Sequence, residues 1–318
     1  MKAVFLDYAT MGPDLDPSPI SDLLPDLTLF DVTPDELTAE RITDAEFVFT
    51  NKIRFDDETL GNATSLRFIG LAATGTDNVD LSGAAKYGVA VCNIRAYCTQ
   101  SVVEHVFSVL LNFTHSTSLY GNAVRDGRWQ RSEDFCMLDY PIRELSGMTL
   151  GIVGHGELGR GVGRIAREFA MAVLVARRPG TAPSQDDNRT DFDEVLERAD
   201  VITLHCPLND DTRHLFGKSE FRRMKPDAIL INTARGGLID SAALAAALSN
   251  GEIGAAAIDV LSKEPPTDGD PLLDYDGPNL IITPHIAWAT IEARQSAINE
   301  LAANVKAFLD GEERNRVV

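Results

Sequence analysis

Apolar residues along this chain come mostly in runs of four or five, set between longer polar stretches. Up to Cys92, the runs at residues 3–6, 27–30, 47–50, 68–71 and 89–92 read as strands, short and continuous as buried parallel strands are. Residues 34–42 and 81–87 read as helices between them. A longer apolar-periodic run, residues 99–117, reads as one helix after a break at 93–98. Residues 120–146 then lose periodicity although they hold Trp129, Phe135, Tyr140 and Pro141. That much apolar surface in a loop either packs on its own domain or faces another subunit. A second alternating series follows, with strands at 148–153, 172–176, 201–204, 228–232, 255–260 and 280–283. Residues 290–309 form an amphipathic helix that can return to the first domain. Strand and helix alternating in two series predict the α/β class, with parallel sheets in two domains.

Length and charge narrow the picture. At 318 residues the chain exceeds one ordinary domain, and 44 % hydrophobic content suffices for two cores. The formal net charge of −19 argues against nucleic acid or an anionic membrane as partner. It also means that an anionic ligand needs Arg, Lys or His gathered locally. No apolar run approaches a membrane span, and the first residues reach Asp7 too early for a secretory leader. Cys92, Cys98, Cys136 and Cys206 show neither a CxxC pair nor zinc spacing. Buried reduced thiols, no metal site and a cytoplasmic location are therefore expected.

The strand at 148–153 runs into Gly154-His155-Gly156-Glu157-Leu158-Gly159, with a helix at 163–169 and a second strand beyond. In that context G-x-G-x-x-G reads as the dinucleotide fingerprint of a Rossmann-like domain. Gly154 permits the tight turn, Gly156 lets backbone approach a pyrophosphate, and Gly159 allows close helix–strand packing. NAD sites usually carry Asp or Glu at the end of the second strand, to bind the ribose hydroxyls. Here Arg177 and Arg178 stand there. A guanidinium can pair with a 2′-phosphate that a carboxylate would repel, so NADP(H) is the expected cofactor, with NAD(H) as the alternative.

Three further segments put polar residues at the ends of apolar strands, where α/β sheets bind ligands. They carry Arg235, Glu264 and His285. Reduction of a 2-keto acid needs its carboxylate held, its carbonyl polarised and a proton delivered as hydride arrives. Arg235 suits the first two tasks as a permanent cation with a fork matching a carboxylate. An imidazole such as His285 suits the third, and Glu264 beside it would orient the ring and favour its protonated form. Each residue alone also fits a turn or loop role. The three together after a fingerprint point to one catalytic set.

With these residues the chain resembles the D-isomer-specific 2-hydroxyacid dehydrogenases, in particular the glycerate dehydrogenase/hydroxypyruvate reductase group. Motifs along nearly the whole chain carry the likeness. Among them are Thr50-Asn51-Lys52, Ala73-Thr74-Gly75-Thr76-Asp77-Asn78-Val79-Asp80, Thr99-Gln100-Ser101-Val102-Val103-Glu104-His105 and Gly127-Arg128-Trp129-Gln130. Asp139-Tyr140-Pro141-Ile142-Arg143, His205-Cys206-Pro207-Leu208, Asn232-Thr233-Ala234-Arg235-Gly236-Gly237 and Pro284-His285-Ile286-Ala287-Trp288 continue the set.

The resemblance implies a discontinuous substrate-binding domain, residues 1–97 with 288–318, and an inserted dinucleotide-binding domain, 98–287. It gives Arg235, Glu264 and His285 the roles argued above. Backbone around Thr74 and Gly75 would hold the substrate carboxylate, with Asn51 and Lys52 nearby. Thr99, Cys206, Pro207, Thr212, Thr233, Ala234 and Asp259 would line the dinucleotide. A homodimer with the loop around Trp129 at its interface is implied as well. The chain departs from the group at Arg177, usually acidic, and at His155, commonly aromatic. The expected activity is reduction of hydroxypyruvate and glyoxylate. Another small 2-keto acid, formate, or a dinucleotide-sensing corepressor-like module are the alternatives.

Overall fold

Four-residue apolar runs make stable parallel strands only when both faces are covered, and most of these strands are buried along their whole length. The structure, a computed structural model, describes residues 1–182 and 188–318. The chain divides into two compact α/β units, Met1–Cys98 with Trp288–Val318, and Thr99–Ala287.

The first unit holds β1 (Lys2–Phe5), β2 (Asp26–Leu29), β3 (Phe47–Thr50), β4 (Phe68–Leu71) and β5 (Ala90–Cys92). They form one parallel sheet in the order β2-β1-β3-β4-β5. One face packs on the helix Ile291–Asp310 through Ala297, Ile298, Leu301 and Val305. Gly70 in β4 makes room for that helix, because a Cβ there would lie 2.7 Å from the Phe49 ring and 3.1 Å from Leu301. The opposite face buries Val4, Val48, Ile69 and Val91 against Ile42, Leu60 and Ala84. Within this sheet the strand β2 departs from the expected burial. It lies at the sheet edge and is largely exposed.

The second unit holds β6 (Thr149–Val153), β7 (Ala172–Val175), β8 (Val201–Leu204), β9 (Ile229–Asn232), β10 (Ala255–Ile258) and β11 (Leu280–Ile282). Its parallel sheet has the order β11-β10-β9-β8-β6-β7. The doubly wound order reverses beside β6, at the β6/β8 pair, the place where such sheets open a crevice at their carboxyl ends.

Two helices differ from the sequence expectation. The expected single helix at 99–117 is Thr99–His115 followed by Thr117–Arg125. Ser116 turns the chain with φ 51° and donates its hydroxyl to Pro141 O at 2.9 Å. The fingerprint helix runs Glu157–Glu168 rather than 163–169. Its early turns are glycine-rich because neighbours leave no room: a Cβ at Gly161 would lie 3.0 Å from Val103, and one at Gly163 the same distance from Ile152.

No described helix is long and apolar enough to cross a membrane. No disulfide joins the four cysteines, and only Cys92 is fully buried, so the expectation of four buried thiols is corrected. Burial pushes the Cys92 and Cys206 thiols up to about 11, which keeps both protonated at neutral pH.

Candidate active site

The strand-end residues of the second unit follow from the sheet order. Arg235 comes just after β9, Glu264 after β10 and His285 after β11, three adjacent strands. Asn232, fully buried at the end of β9, braces the first of these turns. Its amide donates to Arg235 O at 2.9 Å, and its carbonyl accepts from Ala234 N at 3.0 Å. The Arg235 guanidinium donates to Ala234 O at 2.8 Å.

His285 and Glu264 meet directly. Nδ1 of the ring lies 2.6 Å from Glu264 Oε2, and Glu264 Oε1 accepts from Leu261 N at 2.9 Å. Glu264 as acceptor keeps a proton on Nδ1. His285 has φ 57°, a left-handed conformation that a non-glycine residue holds at a cost of about 1–3 kcal/mol and that clusters at functional sites.

Asp259 fixes that bend. Its backbone oxygen accepts from His285 N at 2.8 Å, and its carboxylate accepts from Ile286 N and Ala287 N, each at 2.9 Å. The Thr283 hydroxyl donates to the same carboxylate at 2.5 Å, with His105 Nε2 3.3 Å from that hydroxyl. The sequence reading put Asp259 on the dinucleotide. The structure commits both its carboxylate oxygens to the loop that carries His285. Asn232, Thr283 and His105 received no individual role from the sequence. A polar residue at the end of an apolar strand was the available signal for Asn232 and Thr283.

The fingerprint forms a cradle of the kind a dinucleotide needs. A Cβ at Gly154 would lie 2.5 Å from Cys206 N, and one at Gly159 2.1 Å from Gly154 O. Around Gly156 there is open space. These three environments leave bare backbone around an opening that a pyrophosphate can approach. Thr99 donates a short hydrogen bond to Glu157, so two residues expected to line the dinucleotide touch. Leu158 is half-buried on the same helix. The Thr233 hydroxyl is buried with no hydrogen-bond partner among the described residues, which suits a group waiting for a ligand. The Thr212 hydroxyl braces its own loop, donating to Pro207 O and accepting from Asn209 N, each at 2.8 Å.

Electrostatics around the cradle are positive despite the acidic chain. Burial, then the charges of Arg160, Arg189 and Arg167, hold the His155 imidazole below its ordinary range. Burial pushes His205 down to about 4, and its Nδ1 has no partner among the described residues. Arg177 follows β7 with its side chain nearly out of solvent, and Arg178 is exposed and paired with Asp211.

Asn51, Lys52, Thr74 and Gly75 lie in the first unit, at the carboxyl ends of the adjacent strands β3 and β4. Asp7, at the end of β1 and 5 % exposed, accepts from Asn51 N at 2.9 Å and Lys52 N at 2.7 Å. Burial raises the Asp7 carboxyl above its usual range despite these donors. Asn93 donates to Thr74 O at 2.7 Å and so holds the Thr74–Gly75 turn. Asp7 and Asn93 are positioning residues that the sequence left unassigned. Among the described residues no cluster of His, Cys, Asp and Glu is arranged to hold a metal.

Residues 107–287 match the family model described as D-isomer specific 2-hydroxyacid dehydrogenase, NAD binding domain. A glycerate dehydrogenase of Methylorubrum extorquens is 45 % identical over 285 residues, 90 % of this chain and 89 % of its own. A hydroxypyruvate reductase of Blautia hydrogenotrophica is 36 % identical over 323 residues, 100 % and 99 % of the two chains. Among solved structures, an acyclic imino acid reductase in complex with NADPH and D-Arg matches with a TM-score of 0.86 at 26 % identity, over 100 % of both chains.

Proposed function

The chain belongs to the D-isomer specific 2-hydroxyacid dehydrogenase family, in its glycerate dehydrogenase/hydroxypyruvate reductase group, and from that membership we propose that it reduces hydroxypyruvate, and glyoxylate secondarily, to the D-2-hydroxy acid. The observation that carries this reading is the 2.6 Å contact between His285 and Glu264, on the strand ends next to the one bearing Arg235.

A nicotinamide dinucleotide, when bound, supplies hydride to the carbonyl carbon. Arg235 holds the substrate carboxylate and polarises the ketone, and His285 Nε2 delivers the proton to the ketone oxygen. Glu264 retains the Nδ1 proton and steadies the ring as it loses charge. Asn51, Lys52 and the backbone of Thr74 and Gly75 supply the remaining substrate contacts. The dinucleotide is held by Gly154, His155, Gly156, Glu157, Leu158 and Gly159, with Thr99, Cys206, Pro207, Thr212, Thr233 and Ala234 beyond them.

Cofactor choice follows from Arg177 and Arg178 at the end of β7, where NAD sites carry a carboxylate. The proposed preference is for NADPH over NADH. The exposed Trp129, Phe135, Leu138 and Ile142 support a homodimer through this segment. Thiols without disulfides suit a cytoplasmic location.

A panel of hydroxypyruvate, glyoxylate, pyruvate and bulkier keto acids, assayed with NADPH and NADH in parallel, tests the reading. Hydroxypyruvate with NADPH is expected to give the highest kcat/KM. Dinucleotide binding without turnover of any keto acid would instead support a sensing module.

A further inference from the structure

Asn304 stands on the buried face of the helix Ile291–Asp310, beside Leu301 and Val305, and is only 1 % exposed. An amide in an apolar core lowers stability unless its polar atoms are bonded, and an aliphatic side chain would fill the same space. Here the two ends of the amide have different partners. The carbonyl oxygen accepts from Arg314 Nη1 at 2.5 Å and from Asn315 Nδ2 at 3.2 Å. The amide nitrogen donates to Asn93 O at 2.9 Å. Arginine offers only donors, so Arg314 sets which way the amide faces. Arg314 is itself held, with Nη2 donating to both carboxylate oxygens of Glu300 at 2.9 Å.

Asn93, just after β5, is gripped on both sides of its backbone. Its oxygen accepts from Asn304, and its N–H donates to Asn315 O at 3.2 Å. Its side chain then donates to Thr74 O at 2.7 Å. Ile94 N donates to Ala73 O at 3.1 Å, and the Thr74 hydroxyl donates to Ile94 O at 2.9 Å. The carbonyls of Ala73 and Thr74 are thus both tied to residues 93–94. Among the described residues no acceptor takes the N–H of Thr74 or Gly75, which leaves both for a carboxylate.

We propose that Asn304 is a positioning residue for the substrate carboxylate: it fixes the Asn93 peptide from the helix, and Asn93 in turn fixes the Thr74–Gly75 turn. This rests on the assignment of that turn to the substrate carboxylate in the proposed function.

Asn304→Asp separates the two contacts, because a carboxylate keeps the acceptor for Arg314 and Asn315 and removes the donor to Asn93 O. Oxamate, an unreactive mimic of a 2-keto acid, is titrated into the protein carrying reduced dinucleotide, with hydroxypyruvate kinetics measured alongside. Asn304→Asp is expected to weaken oxamate about 10-fold and to raise the hydroxypyruvate KM similarly, as loss of an outer positioning contact does elsewhere. Dinucleotide affinity should stay at the wild-type value, and kcat should change less than KM. Arg314→Met leaves Asn315 on the Asn304 carbonyl and should match wild type. Asn93→Ala should show the oxamate loss, and adding Asn304→Asp to it should bring little more. If Asn304→Asp does not fold, Asn304→Leu takes its place, since it removes the same donor without burying a charge. Equal losses in Arg314→Met and the Asn304 variant would make Asn304 a tail anchor and overturn the proposal. Full additivity with Asn93→Ala would overturn it too, as would wild-type oxamate affinity in the Asn304 variant beside a loss in Asn93→Ala. Wild-type oxamate affinity in Asn93→Ala as well would overturn the assignment of the Thr74–Gly75 turn to the carboxylate.

Discussion

His285 shows what the fold does for single residues. A histidine with φ 57° persists because Asp259, 2 % exposed, holds the next two N–H groups, and Glu264 fixes the ring. Removing the ring's partner should therefore slow proton delivery more than it weakens dinucleotide binding. Glu264→Gln is expected to lower kcat about 10- to 100-fold, as loss of an orienting partner does elsewhere. An unchanged kcat in steady-state assays would take Glu264 out of the mechanism. His205 makes a different prediction. The unfolded chain takes up a proton on it near pH 6.5 and the folded chain only near 4. Its contribution is thus whole above pH 6.5 and is lost as pH falls toward 4, at a cost of about 3 kcal/mol. Urea unfolding at several pH values should show a shallower acid loss in His205→Gln than in wild type. Parallel acid profiles would contradict this.

At the scale of elements, the strands were legible because their apolar runs are continuous, and their ends agree with the sequence reading within one or two residues. The strand β2 was legible as a strand, but its exposure was not, since edge position depends on the sheet order. The helix Thr117–Arg125 was hidden by the turn at Ser116 and by Gly121 within it. The start of the fingerprint helix was hidden by Gly159, Gly161 and Gly163, which break an apolar period while serving close packing. Arg235, Glu264 and His285 stood out as charges after apolar runs. Asp7 and Asp259 did not show as pins, because they grip backbone 44 and 27 residues farther along. The glycines give a paired test. Gly156→Ala meets open space, so unfolding free energy should change by no more than about 0.5 kcal/mol while dinucleotide affinity falls. Gly159→Ala meets the Gly154 carbonyl and should cost about 1–3 kcal/mol. Denaturant unfolding of both variants checks the contrast, and equal stability losses would contradict it.

For the whole molecule, the acidic surface and the basic fingerprint surroundings are two halves of one arrangement. A net charge of −19 repels anions in general, so the arginines around His155 make a local exception. The same surface carries Phe135 at 90 % and Leu138 at 78 % exposure, the two most exposed large hydrophobic side chains among the described residues. If they mark the dimer face, a Phe135→Asp, Leu138→Glu double variant should sediment as a monomer where wild type sediments as a dimer. Equal sedimentation of the two would remove this face from the interface.

The account turns on proton delivery by a histidine held between a buried aspartate's loop and a glutamate. Single-turnover reduction of hydroxypyruvate by His285→Ala, with dinucleotide binding followed separately by its fluorescence, tests this most directly. A rate at least about 10²-fold below wild type with near-normal dinucleotide affinity is the predicted result. Turnover at the wild-type rate, with the dinucleotide bound equally well, would contradict it.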